Sequence, residues 1–419
     1  MWPVERAIDA VDGSRDELLP FVGPAAALPL YGALARLPQP VAVRVWTVLL
    51  IAAACGLAFA SLALVRTRRV AALAGALLLG FASGPETSAI ALGQVALVSA
   101  AAIALALLAF ERGALAGGAL ATLTAALQPN LTIALAARMR DRTALAGAAL
   151  AATVFAALAL AGAGPRGLLA YAHRLGAHGA AESFVTIQHT PASIAWAFGA
   201  PAAGALAAGA ICALAAIAVT IVATVRSKLD PLDGTLLALV ALPFAVPFFH
   251  EHDFVVELLP LTVLALRARG GARFLSAFAA ALICVNWLNF AQRPEAAAQT
   301  VVLGLALACA WVLLGPGSRA TRGDLVPFVA IAALACLAVP LGRAHPAPVW
   351  PDALPAGYRA PANADASAVW ADEQRAAGLT ARDPAWGALR ALPLAGCIVL
   401  GIAVVRTRRR ENGGGPSSA

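Results

Sequence analysis

Long apolar runs separated by short charged marks are the feature that most constrains this chain. Hydrophobic residues make up 61% of the 419 residues, and charged residues only 12%. A mean hydropathy of +0.81 leaves too little polar surface for a water-soluble domain. Because lipid offers the backbone no hydrogen bonds, runs of this length must fold as helices. The sequence therefore predicts an all-α, polytopic integral membrane protein.

The charged marks predict how the helices are oriented. Arginine-rich marks lie on the cytoplasmic side of membrane proteins, so the net charge of +8 reflects topology and gives no reason to expect nucleic-acid binding. We assign these marks to the cytoplasm: 66–69, 112, 138–142, 226–228, 267–273, 319–322 and 406–410. The opposite face then holds 37–40, 165–196, 292–295 and 343–390.

Conventional spans fill most of the space between the marks. A helix needs about 20 residues to cross the hydrocarbon core. The runs that meet this length, or nearly so, are 41–65, 143–161, 201–225, 274–290, 297–314, 325–341 and 391–405. The predicted layout is an extracytoplasmic segment and half-helix (1–40), a transmembrane core (41–341), an extracytoplasmic loop (342–390), a C-terminal transmembrane helix (391–405) and a disordered cytoplasmic tail (406–419).

Two stretches run from one cytoplasmic mark to the next and carry a polar interruption. The stretch 70–110 is interrupted at 83–94, and 232–266 is interrupted by His-Glu-His-Asp at 250–253. Each arm of the second is about 15 residues or roughly 22 Å of helix, which is shorter than the ~30 Å core. We therefore expect 250–253 below the outer membrane surface, at the floor of an outward-facing cavity.

Two further stretches predict short or re-entrant helices. The run 113–137 has cytoplasmic marks at both ends, is too short to cross twice, and is broken at Gln128. We interpret it as a re-entrant hairpin that enters from the cytoplasm, with Gln128 at its tip. Prolines break 18–37, which predicts an external half-helix. A chain that starts outside lacks an insertion signal, so we expect a first span upstream of Met1.

The interruption at 250–253 supplies the candidate catalytic residues His250, Glu251, His252 and Asp253. Ionisable groups at membrane depth are costly and usually functional. The alternative is a connecting loop that reaches the interface. A metal site is a weaker interpretation, because no second His, Asp or Glu group at helical spacing accompanies the four residues. We predict neither a metal nor a cofactor, and the six cysteines, all within apolar runs, are interpreted as core residues.

Candidate binding residues lie at three other places. Glu86, Gly93 and Gln94 form the outward tip of 83–94, where a capped turn is the alternative. Gln128 forms the tip of the hairpin. The external segment 165–196 alternates apolar and basic residues, as an interfacial amphipathic helix would, and a plain surface helix is its alternative. Its candidates are Arg166 and Arg174, which can hold a lipid phosphate, and Gln188 and His189.

These residues resemble a known family. The run ALGQVALV…LQPNLTIALAARMRDR resembles the central signature of family-87 glycosyltransferases of the C-type superfamily: a Gly-Gln tip, a span, a basic turn and a re-entrant arm. The stretch VPFFHEHDFVVELLP is similar to the family's second outward tip. The segments FVGPAAALPLYGALARLPQP and QHTPASIAWAFG resemble two further family segments. The likeness covers about 18–266 and depends on the order and spacing of motifs that are weak individually.

The resemblance implies a C-type glycosyltransferase bundle in the cell inner (plasma) membrane, with its active side extracytoplasmic and its C-terminus cytoplasmic. It implies transfer of a sugar from a polyprenyl-phosphate carrier to a glycolipid or polysaccharide hydroxyl acceptor, with no nucleotide sugar and no nucleic acid as partner. Mannose is the best-known sugar of the family, although nothing in these residues selects it. The lipid bilayer itself is the remaining expected partner.

The same resemblance implies a carboxylate base just outside the first span. Asp12 lies near the right place, but without the family's Asp-Phe context. Gln128 stands where the family usually has Lys, and Val246 where it usually has Ser. These departures keep a second interpretation open, a transporter, a flippase or an inactive homologue. Against a transporter, the interrupted segments cluster in the first two thirds of the chain instead of recurring in both halves.

Overall fold

The computed structural model describes residues 23–226, 229–293, 296–315, 322–349 and 366–413. Within these ranges the chain is helical, and its only strand-like pairing is a single bridge between Gln188 and His250. The α-helices are α1 Leu28–Leu34, α2 Gln39–Leu64, α3 Val70–Phe81, α4 Gly84–Ala91, α5 Ala96–Glu111, α6 Leu115–Ala125, α7 Pro129–Thr132, α8 Arg142–Glu182, α9 Pro191–Ala197, α10 Ala202–Arg226, α11 Pro231–Ala245, α12 Leu258–Arg267, α13 Gly271–Ile283, α14 Asn289–Gln292, α15 Ala296–Leu314, α16 Arg322–Ala344, α17 Ala366–Ala376 and α18 Pro384–Gly413. Three 3-10 helices lie at Ala25–Ala27, Ile133–Arg138 and Glu251–Glu257.

Six of the described helices are long and apolar enough to cross a membrane: α2, α8, α10, α15, α16 and α18. Helices α3 and α4 form a seventh candidate, bent by 64° where the polar interruption begins. Helix α10 shows the lipid-facing character most clearly, because Ala205 is its only buried residue. The prediction of an all-α polytopic membrane protein is confirmed.

Two helices extend beyond the spans predicted for them. Helix α8 continues to Glu182 and joins the predicted span 143–161 to the external segment. A break at Gly164, with φ 66° and ψ 170°, followed by Pro165, redirects the helix there. Helix α18 begins at Pro384 and continues to Gly413, whereas the sequence predicted a span over 391–405 and a disordered tail beyond it. An apolar run in the sequence indicates only the part of a helix that lies in lipid. It does not predict the polar residues that continue the same helix beyond the lipid.

Contacts divide the loops between two ends of the bundle. At the first end Arg69 Nη1 donates to the Gly315 carbonyl at 2.6 Å, and Arg273 Nη2 donates to the Trp311 carbonyl at 3.0 Å. At the second end Thr186 N donates to the Leu379 carbonyl at 2.8 Å, and Ala347 N donates to the Ala291 carbonyl at 2.8 Å. Several arginine-rich marks thus meet at one end of the bundle, and several of the loops predicted to lie opposite them meet at the other.

The interrupted stretch around 250–253 is built from short helices. Helix α11 starts at Pro231, where Asp230 caps it by accepting from Asp233 N at 2.8 Å, and it ends at Ala245 after 15 residues. An extended segment with Pro247 follows, because proline supplies no donor for another helical turn. Helix α12 is buried from Leu258 to Ala265, so the interruption lies within protein and not against lipid.

Candidate functional site

The 3-10 helix Glu251–Glu257 fixes the candidate catalytic residues. Asp253 folds back on the helix start, where its Oδ2 accepts from the His250 backbone N at 2.8 Å. Only 2% of Asp253 is exposed, and Phe254 and Val255 beside it are fully buried. The local fold therefore holds the carboxylate inside the bundle, while the two histidines before it stay half-buried.

The second predicted tip meets this carboxylate. Gln128, at the break between α6 and α7, donates from Nε2 to Asp253 Oδ1 at 2.6 Å. The structure therefore brings together the interruptions of two separate helical stretches, which the sequence had identified but not paired. Both oxygens of Asp253 now have a donor.

Gln188 enters from a third segment. The His189 backbone N donates to the Phe249 carbonyl at 2.7 Å, and this contact aligns residues 188 and 189 with 249 and 250. Gln188 Oε1 accepts from Phe249 N at 2.9 Å, and its Nε2 lies 3.1 Å from His250 Nε2. We call Gln128, Gln188, His250, His252 and Asp253 the polar cluster.

The two imidazoles form the exposed side of the polar cluster. Their rings stack with centroids 5.2 Å apart and an interplanar angle of 12°. His252 Nε2 lies 3.6 Å and His250 Nδ1 3.8 Å from the Asp253 carboxylate, and the side chains of the histidines are 13% and 24% exposed. Asp253 accepts from the Gln128 amide and from the His250 backbone N–H, and hydrogen bonds donated to a carboxylate favour its ionised form.

The orientation of the Gln188 amide assigns the His250 tautomer. Because Gln188 Oε1 accepts from a backbone N–H, its Nε2 must face His250 and donate to the ring. His250 Nε2 is then an acceptor, and its proton lies on Nδ1, towards Asp253. The donor atoms of His250, His252 and Asp253 all lie within 4.8 Å of one another, as those of a metal site would. With a proton on Nδ1 and an amide on Nε2, however, neither nitrogen of His250 offers a lone pair to a metal.

Glu251 and Glu86 lie behind the polar cluster. Helix α4 packs on the 3-10 helix 251–257, and a side chain added at Gly84 would meet Glu251 Oε1 at 3.2 Å. Glu251 also forms a hydrogen bond with Asn286. Glu86 is 2% exposed and lies against Gly80, where an added Cβ would come within 2.6 Å of its Oε2. Neither carboxyl reaches the imidazoles in the contacts that the structure describes.

The Gly-Gln tip borders an apolar cavity. Gly93 adopts φ +66°, which only glycine tolerates easily, and its carbonyl accepts from Trp46 Nε1 at 2.8 Å beside Gln94. Trp46 also lines a cavity of about 360 Å³. The other lining residues are almost all apolar: Pro24, Ala26, Ala27, Leu30, Leu49, Val98, Leu123, Thr124, Ala126, Leu127, Phe155 and Leu158. Leu127, in the wall of this cavity, directly precedes Gln128 of the polar cluster.

The remaining predicted residues lie apart from the polar cluster. His189 is buried, with its ring edge-on to Phe254 and its Nδ1 3.4 Å from the Arg390 carbonyl. Arg166 is exposed and Arg174 half-buried on α8. They precede Glu182 by about 24 and 12 Å of helix at 1.5 Å per residue. Asp12 lies outside the described residues.

Four residues next to the polar cluster were not among the predicted site residues: Glu182, Trp370, Gln374 and Arg390. Glu182 accepts from Gln188 Nε2 at 3.3 Å, and also from Trp370 Nε1 and Gln374 Nε2 at 2.6 Å each. Arg390, 1% exposed, donates to the Gln188 carbonyl at 2.9 Å. Trp370 and Gln374 share one face of a helix at i, i+4 spacing, which is the one signal that the sequence offered.

Comparison with known proteins identifies the family. The family model described as Glycosyltransferase family 87 matches residues 21–247, which is more than half of the chain. The chain belongs to glycosyltransferase family 87. This family-87 protein is therefore a multi-pass membrane glycosyltransferase, as the resemblance implied. Gln128 and Gln188 lie inside the matched region, and His250 to Asp253 begin three residues beyond it. No curated protein and no solved structure matches the chain.

Proposed function

We propose that this family-87 protein transfers a sugar from a polyprenyl-phosphate carrier to a hydroxyl acceptor at the extracytoplasmic face of the plasma membrane. Family membership supports the transfer of a sugar. The observation that carries the proposal further is the position of Gln128, which donates to Asp253 and directly follows Leu127 in the wall of an apolar cavity. The acceptor class is a glycolipid or a polysaccharide intermediate.

The cavity supports a lipid-linked donor. A polyprenyl chain is branched and apolar, and each buried CH₂ contributes about 0.8 kcal/mol. Its walls come from the N-terminal segment and from α2, α5, α6 and α8, and they offer almost only aliphatic and aromatic groups. A chain lying there would place its phosphate near Gln128 and the two histidines. Mannose is the sugar we would test first.

The imidazoles are the groups that a substrate reaches first. His252 Nε2 faces Asp253 at 3.6 Å, and no hydrogen bond among the described residues holds its Nδ1, which leaves Nδ1 to accept from an acceptor hydroxyl. In this proposal His252 takes the hydroxyl proton as the acceptor oxygen attacks the sugar, and the ionised Asp253 stabilises the imidazolium that forms. The Nδ1–H of His250 and the amide of Gln128 favour the charge that develops on the leaving phosphate.

The other predicted residues would bind the lipid phosphate or shape the site. Arg166 and Arg174 would bind the lipid phosphate as it approaches along α8, and Glu86, Gly93, Gln94 and His189 would shape the walls of the site. Glu251 would support the cluster through its hydrogen bond to Asn286. Asp12 is the alternative base that the family resemblance implies, outside the described residues.

The test is sugar transfer by the full-length protein with a polyprenyl-phosphate mannose donor. We expect Asp253→Asn and His252→Ala each to lower transfer by about 100-fold or more, which is within the range that general acid–base groups contribute. The matched control is His345→Ala, since His345 is exposed at the same end of the bundle and pairs with Asp383 at 2.9 Å. Undiminished transfer by both variants would reject the polar cluster as the active site.

A further inference from the structure

Glu182 gathers hydrogen-bond donors from two distant segments. Its Oε1 accepts from Trp370 and Gln374, and its Oε2 lies 3.3 Å from Gln188 Nε2 and 3.6 Å from His250 Nε2. Only 4% of the residue is exposed. A buried carboxylate with this many donors is strongly held in one orientation.

The segment that holds Glu182 lies outside the matched family region. Helix α17 packs on α8 and contributes both Trp370 and Gln374, about 120 residues beyond the end of the match. The chain after α17 contacts the same segment as Glu182. Thr186 N donates to the Leu379 carbonyl at 2.8 Å, and Arg390 donates to the Gln188 carbonyl. Residues 366–390 thus form a cap over 182–193, behind the histidines.

We propose that Glu182 is a positioning residue for sugar transfer and that the cap formed by residues 366–390 sets its position. Trp370 and Gln374 fix the carboxylate, the carboxylate and Phe249 N fix the Gln188 amide, and that amide keeps the proton of His250 on Nδ1. The inference rests on the proposed function, since it explains how His250 is prepared for the leaving phosphate.

The arrangement depends on every donor being present. If Gln374 loses its amide, Glu182 has one fewer donor, and its carboxylate is free to move closer to His250 than the present 3.6 Å. His250 Nε2–H would then have an anionic acceptor, and the ring would shift to the opposite tautomer or to the doubly protonated form. The Nδ1 proton would no longer be uniquely assigned, although the helices would keep their packing.

The first measurement is independent of activity. Nitrogen NMR of full-length protein labelled with ¹⁵N-histidine distinguishes the two tautomers, and His250→Asn assigns the signal. We expect wild-type His250 to carry its proton on Nδ1, and Gln374→Met to move the signal towards protonated Nε2. The matched control is Gln292→Met, which removes an amide that donates to the Pro348 carbonyl at 3.2 Å. An unchanged His250 signal in Gln374→Met overturns the proposal.

The second measurement connects the cap to catalysis. We expect Gln374→Met to lower kcat about 10- to 100-fold, the loss of one hydrogen bond to a charged group, with KM nearly unchanged. In a Glu182→Gln background the same change should have little further effect, because both act through one group. Additive losses would contradict the proposal. If Gln374→Met does not fold, Trp370→Phe provides the same cycle. If neither the wild type nor any variant transfers sugar but the NMR shift occurs, the proposed function fails and the positioning role of Glu182 stands.

Discussion

Gln128 joins two breaks in the helical bundle that are 125 residues apart in the chain. Its amide supplies the donor that Asp253 Oδ1 receives, at a position where the family resemblance leads us to expect a lysine. A neutral amide and an ammonium share one property here, because both donate a hydrogen bond to a carboxylate. The departure from the family pattern therefore preserves the contact and removes a positive charge.

Substitutions at Gln128 test whether the donor or the charge matters. We expect Gln128→Lys to keep at least wild-type transfer, since an ammonium beside ionised Asp253 forms a charge-assisted hydrogen bond. Gln128→Leu should lower transfer about 10-fold or more by leaving a buried carboxylate oxygen without its donor. Transfer assays on purified protein, with melting temperature as a check on folding, separate the two. Equal activity of the Lys and Leu variants would show that the contact is dispensable.

Several members of the polar cluster were identifiable from the sequence one at a time. His250, Asp253 and Gln128 stand out because each is polar within an apolar run, and such residues are expensive in a membrane. Their pairing was not identifiable, since nothing in the spacing of 128 and 253 indicates that two breaks meet. Glu182 was not predicted as a site residue for a different reason. It ends an amphipathic helix that also fits a solvated surface, and two of its partners, Trp370 and Gln374, lie beyond residue 366.

At the scale of the helix, the break in α8 decides where Glu182 lies. The first part of α8 crosses the bundle as a conventional span, and the part after Gly164 runs in a new direction towards the polar cluster. A backbone conformation with φ 66° and ψ 170° is open almost only to glycine. The sequence predicted a boundary near this point, between the span 143–161 and the external segment 165–196, but not that one helix would continue beyond it.

Gly164→Ala should therefore destabilise the protein. We expect a loss of about 1–3 kcal/mol, because alanine is strained in that backbone region, with weaker transfer as the second half of α8 shifts. The matched control is Gly304→Ala in α15, where an added Cβ meets nothing within 4 Å and the backbone is helical. That change should be neutral or stabilising by about 0.5–1 kcal/mol. Thermal unfolding in one detergent compares the pair, and equal melting temperatures would contradict the strain argument.

For the whole molecule, the apolar cavity is where the N-terminal segment and four helices come together. Its walls come from segments far apart in the chain, which is why the sequence did not predict this cavity. Helices α2 and α8 each present one face to this cavity and another to lipid. That double exposure explains why their sequence pattern shows little amphipathicity: both faces must be apolar.

A bulky residue in the cavity wall should discriminate between donor lipids. We expect Leu158→Trp to raise KM for a long-chain polyprenyl-phosphate sugar about 10-fold, and to leave a short-chain analogue almost unaffected, because only the long chain loses buried contacts. Leu160→Trp is the control, since Leu160 is 49% exposed on the same helix and does not line the cavity. An equal effect on both donors would argue that the lipid lies elsewhere.

Orientation is a property of the whole chain, and the two ends of the bundle give it a direct test. Arg269 is exposed at the end where the arginine-rich marks gather, and Arg293 is exposed beyond α14 at the end near the polar cluster. In a variant without the six native cysteines, Arg293→Cys should react with a membrane-impermeant maleimide added to intact spheroplasts. Arg269→Cys should react only after the membrane is opened. This follows from the excess of basic residues on the cytoplasmic side. The reverse labelling would place the polar cluster on the cytoplasmic side and remove the proposed extracytoplasmic acceptor.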